Sequence, residues 1–173
     1  MRRISEKSAL KTLSRIRAEF AENIRASFEH RAKNCETCET KGACCLDEHF
    51  VNVRITRLEA AAIANEINEL SPTKRMAVKA RIENSVDRYD LRNEKNITKT
   101  YACPLFESGS GCLVHNTAKP LPCIAHACYE KKTDLPPEHL LHEREGRIFN
   151  LDQRTYCETA FPLPLPVALE KLI

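Results

Sequence analysis

Apolar side chains recur at steps of three and four positions along the N-terminal segment. This spacing places them on one stripe of an α-helix, and the positions between them carry mostly Arg, Lys and Glu. The pattern therefore predicts a long amphipathic helix over residues 4–33. The apolar positions of the stripe are Leu10, Leu13, Ile16, Phe20, Ile24 and Phe28.

A different pattern follows at 49–55, where apolar and polar residues alternate. Alternation is typical of a half-buried strand, because successive side chains of a strand point to opposite faces. Thr56 and Glu59 then have the spacing of a capping box, in which two side chains bind the free N–H groups at a helix start. We therefore expect a strand to lead directly into a second helix over 57–69.

A third helix is predicted after Ser71, because Ser is a good N-cap and the next residue, Pro72, suits the first helical position. This helix should end near residues 91–93. Its predicted inner side carries Met76, Ala80, Ile82, Val86 and Tyr89.

The C-terminal part of the chain predicts shorter elements. Leu140 and Leu141 indicate a short helix, and the apolar residues within 147–151 indicate a strand. At 161–166 every second residue is proline, which favours an extended path that packs across the body of the protein.

Together these patterns predict a helix-dominated α+β fold. We expect an N-terminal amphipathic helix over 1–34 and a cysteine-bearing, metal-stabilised domain with loops over 35–132. A C-terminal helix, strand and Pro-rich tail over 133–173 should pack on the same body.

Composition narrows the class of protein. The 173 residues are 42% hydrophobic and 29% charged, as is usual for one globular domain. No run of about 18 apolar residues occurs, so we expect no membrane span. A net charge of +3 gives no reason to expect a nucleic-acid partner. The start of the chain lacks the apolar core of a secretory signal, so we expect a cytoplasmic protein.

Cysteine is the unusual component, with nine copies. Cytosolic thiols stay reduced, so dense cysteines there indicate metal or redox chemistry rather than disulfides. Eight of them form two blocks, and Cys157 stands alone. The first block is Cys35, Cys38, Cys44 and Cys45, and the second block is Cys103, Cys112, Cys123 and Cys128.

The spacing within the blocks favours metal ligation. Four thiolates suit either a zinc ion or an iron–sulfur cluster, so all eight block cysteines are candidate ligands. Adjacent residues diverge on both helices and strands, so Cys44 and Cys45 require irregular backbone or a split between two roles. A Gly-containing turn at 108–111 should return Cys112 towards Cys103, and Leu113-Val114 could form a short strand after it.

His126 is an alternative ligand within the second block. Pro122 is positioned to open a short helix that carries Cys123, His126 and Cys128 at short steps. A lone His beside cysteines is more often a surface group than a ligand, and both interpretations stay open here.

These motifs resemble the YkgJ-like cysteine-cluster family, a zinc- or iron-chelating domain named for a C-x-x-C-x-x-C-C motif. The resemblance covers roughly 35–128 and includes all eight block cysteines, whereas Lys119 and Ile124 stand where the family has Arg. It implies metal or cluster binding, and no settled reaction. The matching segments are Cys35-x2-Cys38-x5-Cys44-Cys45, Thr56-x2-Glu59, Cys103-Pro104-Leu105, Gly111-Cys112-Leu113-Val114-His115 and Lys119-Pro120-Leu121-Pro122-Cys123.

Three functions remain compatible with the sequence. The preferred hypothesis is an iron–sulfur centre that serves electron transfer or a modifying enzyme, with a protein or redox partner. The alternative is a zinc-stabilised binding or scaffold protein without catalysis. A thiol-redox protein ranks last, because Cys35-x2-Cys38 lacks the strand and helix that flank a thioredoxin motif. No catalytic residue is identified.

Overall fold

A computed structural model describes residues 3–32, 42–46, 51–96, 98–129 and 131–173. Within these ranges lie seven α-helices and four strands of two residues each, so the predicted helix-dominated fold is confirmed. In chain order the elements are α1 (Glu6–Ser27), α2 (Ala43–Leu46), β1 (Arg54–Ile55), α3 (Arg57–Asn68), α4 (Pro72–Arg88), β2 (Phe106–Glu107), β3 (Gly111–Cys112), α5 (Leu121–Ala125), α6 (Glu138–Tyr156), β4 (Leu163–Pro164) and α7 (Leu165–Glu170).

The chain divides into two compact units, and each unit draws on two separate stretches of sequence. The first unit comprises Met1–Lys41 and Lys119–Ala160. The second unit comprises Gly42–Ala118 and Phe161–Ile173. Among the described residues, no helix combines the length and apolar character needed to cross a bilayer.

In the first unit, α1 packs against α5 and α6. The helix begins where the Ser5 side chain accepts a hydrogen bond from the N–H of Ser8, and it ends earlier than predicted, in a short 3₁₀ turn at Glu29–Arg31. The middle of the predicted stripe is buried, whereas Leu10 and Phe28 at its ends are only partly buried. The buried apolar positions of α1 are Ala9, Leu13, Ile16, Phe20 and Ile24.

The strand predicted at 147–151 is wrong, because these residues lie inside the unbroken helix α6. The buried positions of α6 include Ile148, Leu151 and Thr155, which follow the three- and four-residue steps of a helix. A short apolar run is compatible with the period of a helix and with that of a strand, so five residues are too few to distinguish the two. The helix ends at Cys157, whose φ of 56° is left-handed.

In the second unit, the predicted capping box is confirmed at the start of α3. The Thr56 hydroxyl accepts from the N–H of Glu59 at 3.2 Å, and the Glu59 carboxylate accepts from the N–H of Thr56 at 3.0 Å. Both side chains are buried. Helices α3 and α4 begin where the sequence predicts, and both pack against α7.

The inner face of α4 differs from the prediction. Val78, Ile82 and Val86 are buried, whereas Met76 is 65% exposed and Ala80 is also exposed. The buried face of α4 is rotated relative to the predicted one because α7 packs against it. The same core includes Tyr101, Leu105, Val114 and Leu165.

Only the end of the predicted 49–55 strand pairs with another strand. Residues 49 and 50 lie outside the described part, and β1 pairs antiparallel with β4, with Arg54 opposite Pro164. The three prolines of the tail predict an extended path without a regular ladder, and the two-residue ladder that includes Pro164 corrects this prediction. Pro164 is tolerated because proline fits short edge strands, and the chain then enters α7 instead of staying extended.

Candidate functional site

The second cysteine block begins with a tight hairpin. Strand β2 runs antiparallel to β3, and Phe106 lies opposite Cys112. The chain turns between them through Gly109 and Gly111, whose φ angles of +83° and +88° suit glycine. The Gly-containing turn therefore has its expected effect, because it returns Cys112 to the strand that follows Cys103.

The short strand expected at 113–114 is wrong. These two residues lie in a turn after β3. The N–H of Leu113 donates to the carbonyl oxygen of Leu105 at 2.9 Å, which closes the hairpin immediately after Cys112. Strand pairing therefore includes the cysteine itself and stops there.

The end of the first cysteine block lies on the single-turn helix α2. The Sγ atoms of Cys44 and Cys45 are 4.0 Å apart, and both residues carry thiols rather than a disulfide. Gly42 precedes the helix with φ of +78°, and a Cβ at this position would come within 2.0 Å of the Phe106 ring. The aromatic ring of the hairpin thus packs on the backbone that enters α2.

One backbone hydrogen bond joins the two blocks. The N–H of Cys103 donates to the carbonyl oxygen of Cys45 at 2.8 Å. Cys103 and Cys112 also pack against the apolar core of the second unit. Four of the eight predicted ligands, Cys44, Cys45, Cys103 and Cys112, are therefore brought into one region of the second unit.

The surroundings of Cys103 favour a neutral thiol when no cation is bound. Burial raises the pKa of Cys103 to about 11, and the neighbouring Cys112 and Cys44 act in the same direction. The backbone N–H groups of Leu105 and Phe106 favour the charged sulfur and lower this pKa, by less than burial raises it. The N–H of Phe106 donates to the carbonyl oxygen of Cys103 at 3.2 Å.

An arginine from α4 holds the chain beside Cys103. The Nε of Arg81 donates to the carbonyl oxygen of Pro104 at 3.0 Å. Its guanidinium also lies 4.0 Å from the carboxylate of Glu107, which is more than half exposed. The residue that follows Cys103 is therefore fixed from a neighbouring helix.

The other predicted ligands lie elsewhere or outside the described residues. Cys123 lies on α5 and Cys128 precedes Tyr129, which forms an isolated antiparallel bridge with Ala32; all of these belong to the first unit. Cys35 and Cys38 lie outside the described residues. The expected short helix at Pro122 is present as α5, but it ends at Ala125, so Cys123 lies on it while His126 and Cys128 do not. Exposed residues of the first unit include the C-cap of α5, His126, and the C-cap of α6, Cys157.

The described side chains supply suitable donors for a metal without forming a complete site. Within the described ranges, no three His, Cys, Asp or Glu side chains are arranged as a ligand set for an ion. The donor chemistry nevertheless suits a thiophilic metal, because the four grouped side chains are all thiols. The two N–H groups at Cys103 also suit a ligated sulfur, since hydrogen bonds to the sulfurs tune iron–sulfur clusters.

Comparison with protein-family models finds no match to this chain. Comparisons with the curated proteins and with the solved structures find none either. The resemblance to the YkgJ-like family therefore stays a prediction based on the spacing of the cysteines.

Sequence reasoning missed two residues that shape this region. Gly42 could have been noticed, because it is one of only four glycines and stands just before the Cys44-Cys45 pair. Arg81 gave no signal, since it is one of many basic residues on predicted helices. Its contact with Pro104 depends on how α4 and the hairpin pack, which no local pattern encodes.

Proposed function

We propose that the protein binds a metal through cysteine thiolates of the second unit, as an iron–sulfur centre for electron transfer or within a modifying enzyme. The observation that supports this proposal is the Cys103–Cys45 hydrogen bond. It joins the end of the first cysteine block to the start of the second block, although the two are distant in the chain.

The grouped thiols differ in their suitability as ligands. Adjacent residues on a helical turn diverge by about 100°, so Cys44 and Cys45 are poorly placed to bind one ion together. Cys44 is the member that raises the pKa of Cys103. We therefore propose that Cys44, Cys103 and Cys112 contribute to one centre together with further predicted ligands, since these three side chains do not form a ligand set by themselves. Cys35, Cys38, Cys45, Cys123 and Cys128 remain predicted ligands.

Burial of Cys103 is compatible with this role. A bound cation deprotonates a coordinating thiol outright, and it then offsets the cost of burying the thiolate. The N–H groups of Leu105 and Phe106 stabilise the same charge. The metal would supply electron storage in an iron–sulfur centre, and the chain would supply the ligands and the hydrogen bonds that tune it.

A second candidate is a zinc-stabilised scaffold, and the size of the hairpin favours it. Strands β2 and β3 have two residues each, and an isolated hairpin is only marginally stable in water. A structural zinc ion contributes folding free energy directly, so it would stabilise such a short element. The third candidate, thiol-redox catalysis, concerns Cys35 and Cys38, which lie outside the described residues.

Elemental analysis of anaerobically purified protein tests the proposal and separates the two metals. A brown protein that contains iron and acid-labile sulfide supports the iron–sulfur centre. A colourless protein with stoichiometric zinc supports the scaffold. Protein that stays free of both metals after anaerobic reconstitution with iron and sulfide, or with zinc, contradicts both.

Cysteine variants then test the assignment of the ligands. We expect Cys103→Ala and Cys112→Ala to lose the same share of the bound metal, because each removes a ligand of the same centre. Cys157→Ala is the matched control, since it removes an exposed thiol at the end of α6 and should keep full metal content. Far-UV circular dichroism identifies any variant that fails to fold. Normal metal content in folded Cys103→Ala would contradict the assignment.

A further inference from the structure

Helix α2 is too short to hold its own orientation. It comprises Ala43–Leu46, which is about one turn and about 6 Å along the helix axis. Nucleation of a single helical turn is unfavourable, so such a helix depends on contacts with the rest of the protein. Because α2 carries Cys44 and Cys45, the same contacts determine where these two thiols lie.

Helix α2 is attached near both of its ends to the segment that begins the second cysteine block. Near its C-terminal end, the carbonyl oxygen of Cys45 accepts the hydrogen bond from the N–H of Cys103 at 2.8 Å. At its N-terminal end, the ring of Phe106 packs on Gly42, and a Cβ added to this glycine would lie 2.0 Å from the ring Cζ. The carbonyl oxygen of Gly42 accepts from the N–H groups of Cys45 and Leu46. The ring therefore lies against the residue from which the helix starts.

The two attachments have different effects on the helix. A short helix held only by the hydrogen bond between Cys45 and Cys103 could still rotate about that bond. The contact of the ring at the opposite end prevents this rotation, and glycine permits such a close approach because it has no Cβ. Phe106 also lies opposite Cys112 in the register of β2 and β3. One residue thus contacts the start of α2 and pairs with a cysteine of the hairpin.

We infer that Phe106 is a positioning residue for the grouped thiols. Its ring, seated on Gly42, sets the orientation of α2, and the two thiols of α2 are thereby placed relative to Cys103 and Cys112. The functional meaning of this role rests on the proposed function, because the relative placement of thiols determines how well they bind a metal. A residue that only filled space beside the core would be replaceable by another apolar side chain.

Cobalt(II) binding to the metal-free protein tests the inference, with Co²⁺ itself as the probe and its thiolate absorbance as the readout. We expect Phe106→Ala to weaken Co²⁺ binding about 10-fold, as is typical for residues that hold metal ligands in place. Phe106→Leu should weaken it about as much, because leucine is apolar but lacks the Cε and Cζ atoms that reach Gly42. Full affinity in Phe106→Leu would show that apolar filling is sufficient, and it would overturn the inference.

Val86→Ala is the control for a general loss of stability. Val86 is fully buried on α4 and belongs to the apolar core of the same unit. We expect this variant to unfold at a lower urea concentration than the wild type while it keeps the wild-type affinity for Co²⁺. Affinity that falls in proportion to the urea midpoint in Val86→Ala and in both Phe106 variants would contradict the positioning role.

Amide hydrogen exchange of Cys103 in the metal-free protein gives a readout that needs no metal. Its N–H donates to the carbonyl oxygen of Cys45, so it should exchange faster once α2 can rotate. We expect faster exchange, relative to the amides of α3, in both Phe106 variants and not in Val86→Ala. Unchanged relative exchange in the Phe106 variants would overturn the inference. Wild-type protein that binds no Co²⁺ but shows the Phe106-dependent exchange would contradict the metal proposal and leave the positioning role supported.

Discussion

Considered separately, the two units differ in how far their internal contacts depend on segments outside the helices. In the first unit, the helices α1, α5 and α6 pack through apolar stripes. The second unit has an apolar core as well, and its segments outside the helices also bind one another through backbone groups. Three such bonds in its described part run from the N–H groups of Cys103, Tyr101 and Leu165 to the carbonyl oxygens of Cys45, Val51 and Val53 respectively.

This difference determines which substitutions each unit tolerates. A helix stripe needs apolar side chains at the right period, and most backbone positions between them accept many residues. A bond between two loops needs particular φ angles and close backbone approach. We therefore expect the second unit, which carries the four grouped thiols, to respond more strongly to small changes at single backbone positions.

Glycine substitutions should give the largest difference in stability change between the two units. Gly42→Ala places a Cβ against the Phe106 ring at a left-handed φ, and we expect it to reduce the free energy of unfolding by about 2 to 5 kcal/mol. In the first unit, Gly146→Ala adds a methyl group to open space inside α6. It should raise stability by about 0.5 to 1 kcal/mol. Urea denaturation measures both.

Gly109→Ala is the control for backbone strain alone. Gly109 has φ of +83°, similar to Gly42, but no atom lies within 4 Å of its added Cβ. We expect a loss of about 1 to 2 kcal/mol. Equal losses in Gly42→Ala and Gly109→Ala would show that contact with the Phe106 ring is unimportant.

Removal of a tyrosine hydroxyl should give a smaller difference in stability change between the units than the glycine substitutions do. In the second unit, the Tyr101 hydroxyl donates to the Val53 carbonyl at 2.5 Å and accepts from the Leu165 N–H at 3.1 Å. Because Tyr101 is fully buried, Tyr101→Phe should lose about 1 to 2 kcal/mol of unfolding free energy.

The matched change in the first unit is Tyr156→Phe. The Tyr156 hydroxyl donates to the Glu6 carboxylate at an exposed site, where water replaces the lost partner. We expect about 0.5 kcal/mol or less. A loss in Tyr156→Phe as large as in Tyr101→Phe, measured by urea denaturation, would contradict the contrast between the units.

The smallest effect concerns the pH dependence of the first unit. Burial raises the pKa of Glu145, and the charge of His142 opposes this shift. A carboxyl group whose pKa is raised by folding contributes most stability below its ordinary pKa, and the contribution is lost as the pH rises through the raised value. Glu145→Gln should therefore be more stable than the wild type near pH 7.

The gain should be only a few tenths of a kcal/mol, because the side chain is partly exposed and solvent screens its charge. It should disappear below the ordinary pKa of the carboxyl group, where the wild-type side chain is neutral. Thermal denaturation across this pH range measures the difference. A gain that does not change with pH would exclude titration of Glu145 as the cause.

Local patterns predicted most of the helical fold. The stripe of α1 and the capping box of Thr56 and Glu59 act within a few residues of one another, so the sequence contains the whole signal. The prediction of a strand at 147–151 was wrong because a short apolar run does not distinguish the period of a strand from that of a helix. Met76 was misplaced on the inner face of α4 because burial there depends on α7, which comes much later in the chain.

The sequence by itself determined the helices α1, α3 and α4, the return of the hairpin through Gly109 and Gly111, and the choice of cysteine as the candidate ligand. Only the tertiary structure decided that Cys103 meets Cys45, that the Phe106 ring covers Gly42, and that Arg81 reaches Pro104. The physical reason is the distance along the chain between the residues that interact. Helix caps and turns arise from neighbouring residues, whereas these contacts exist only after distant segments have packed on a common core.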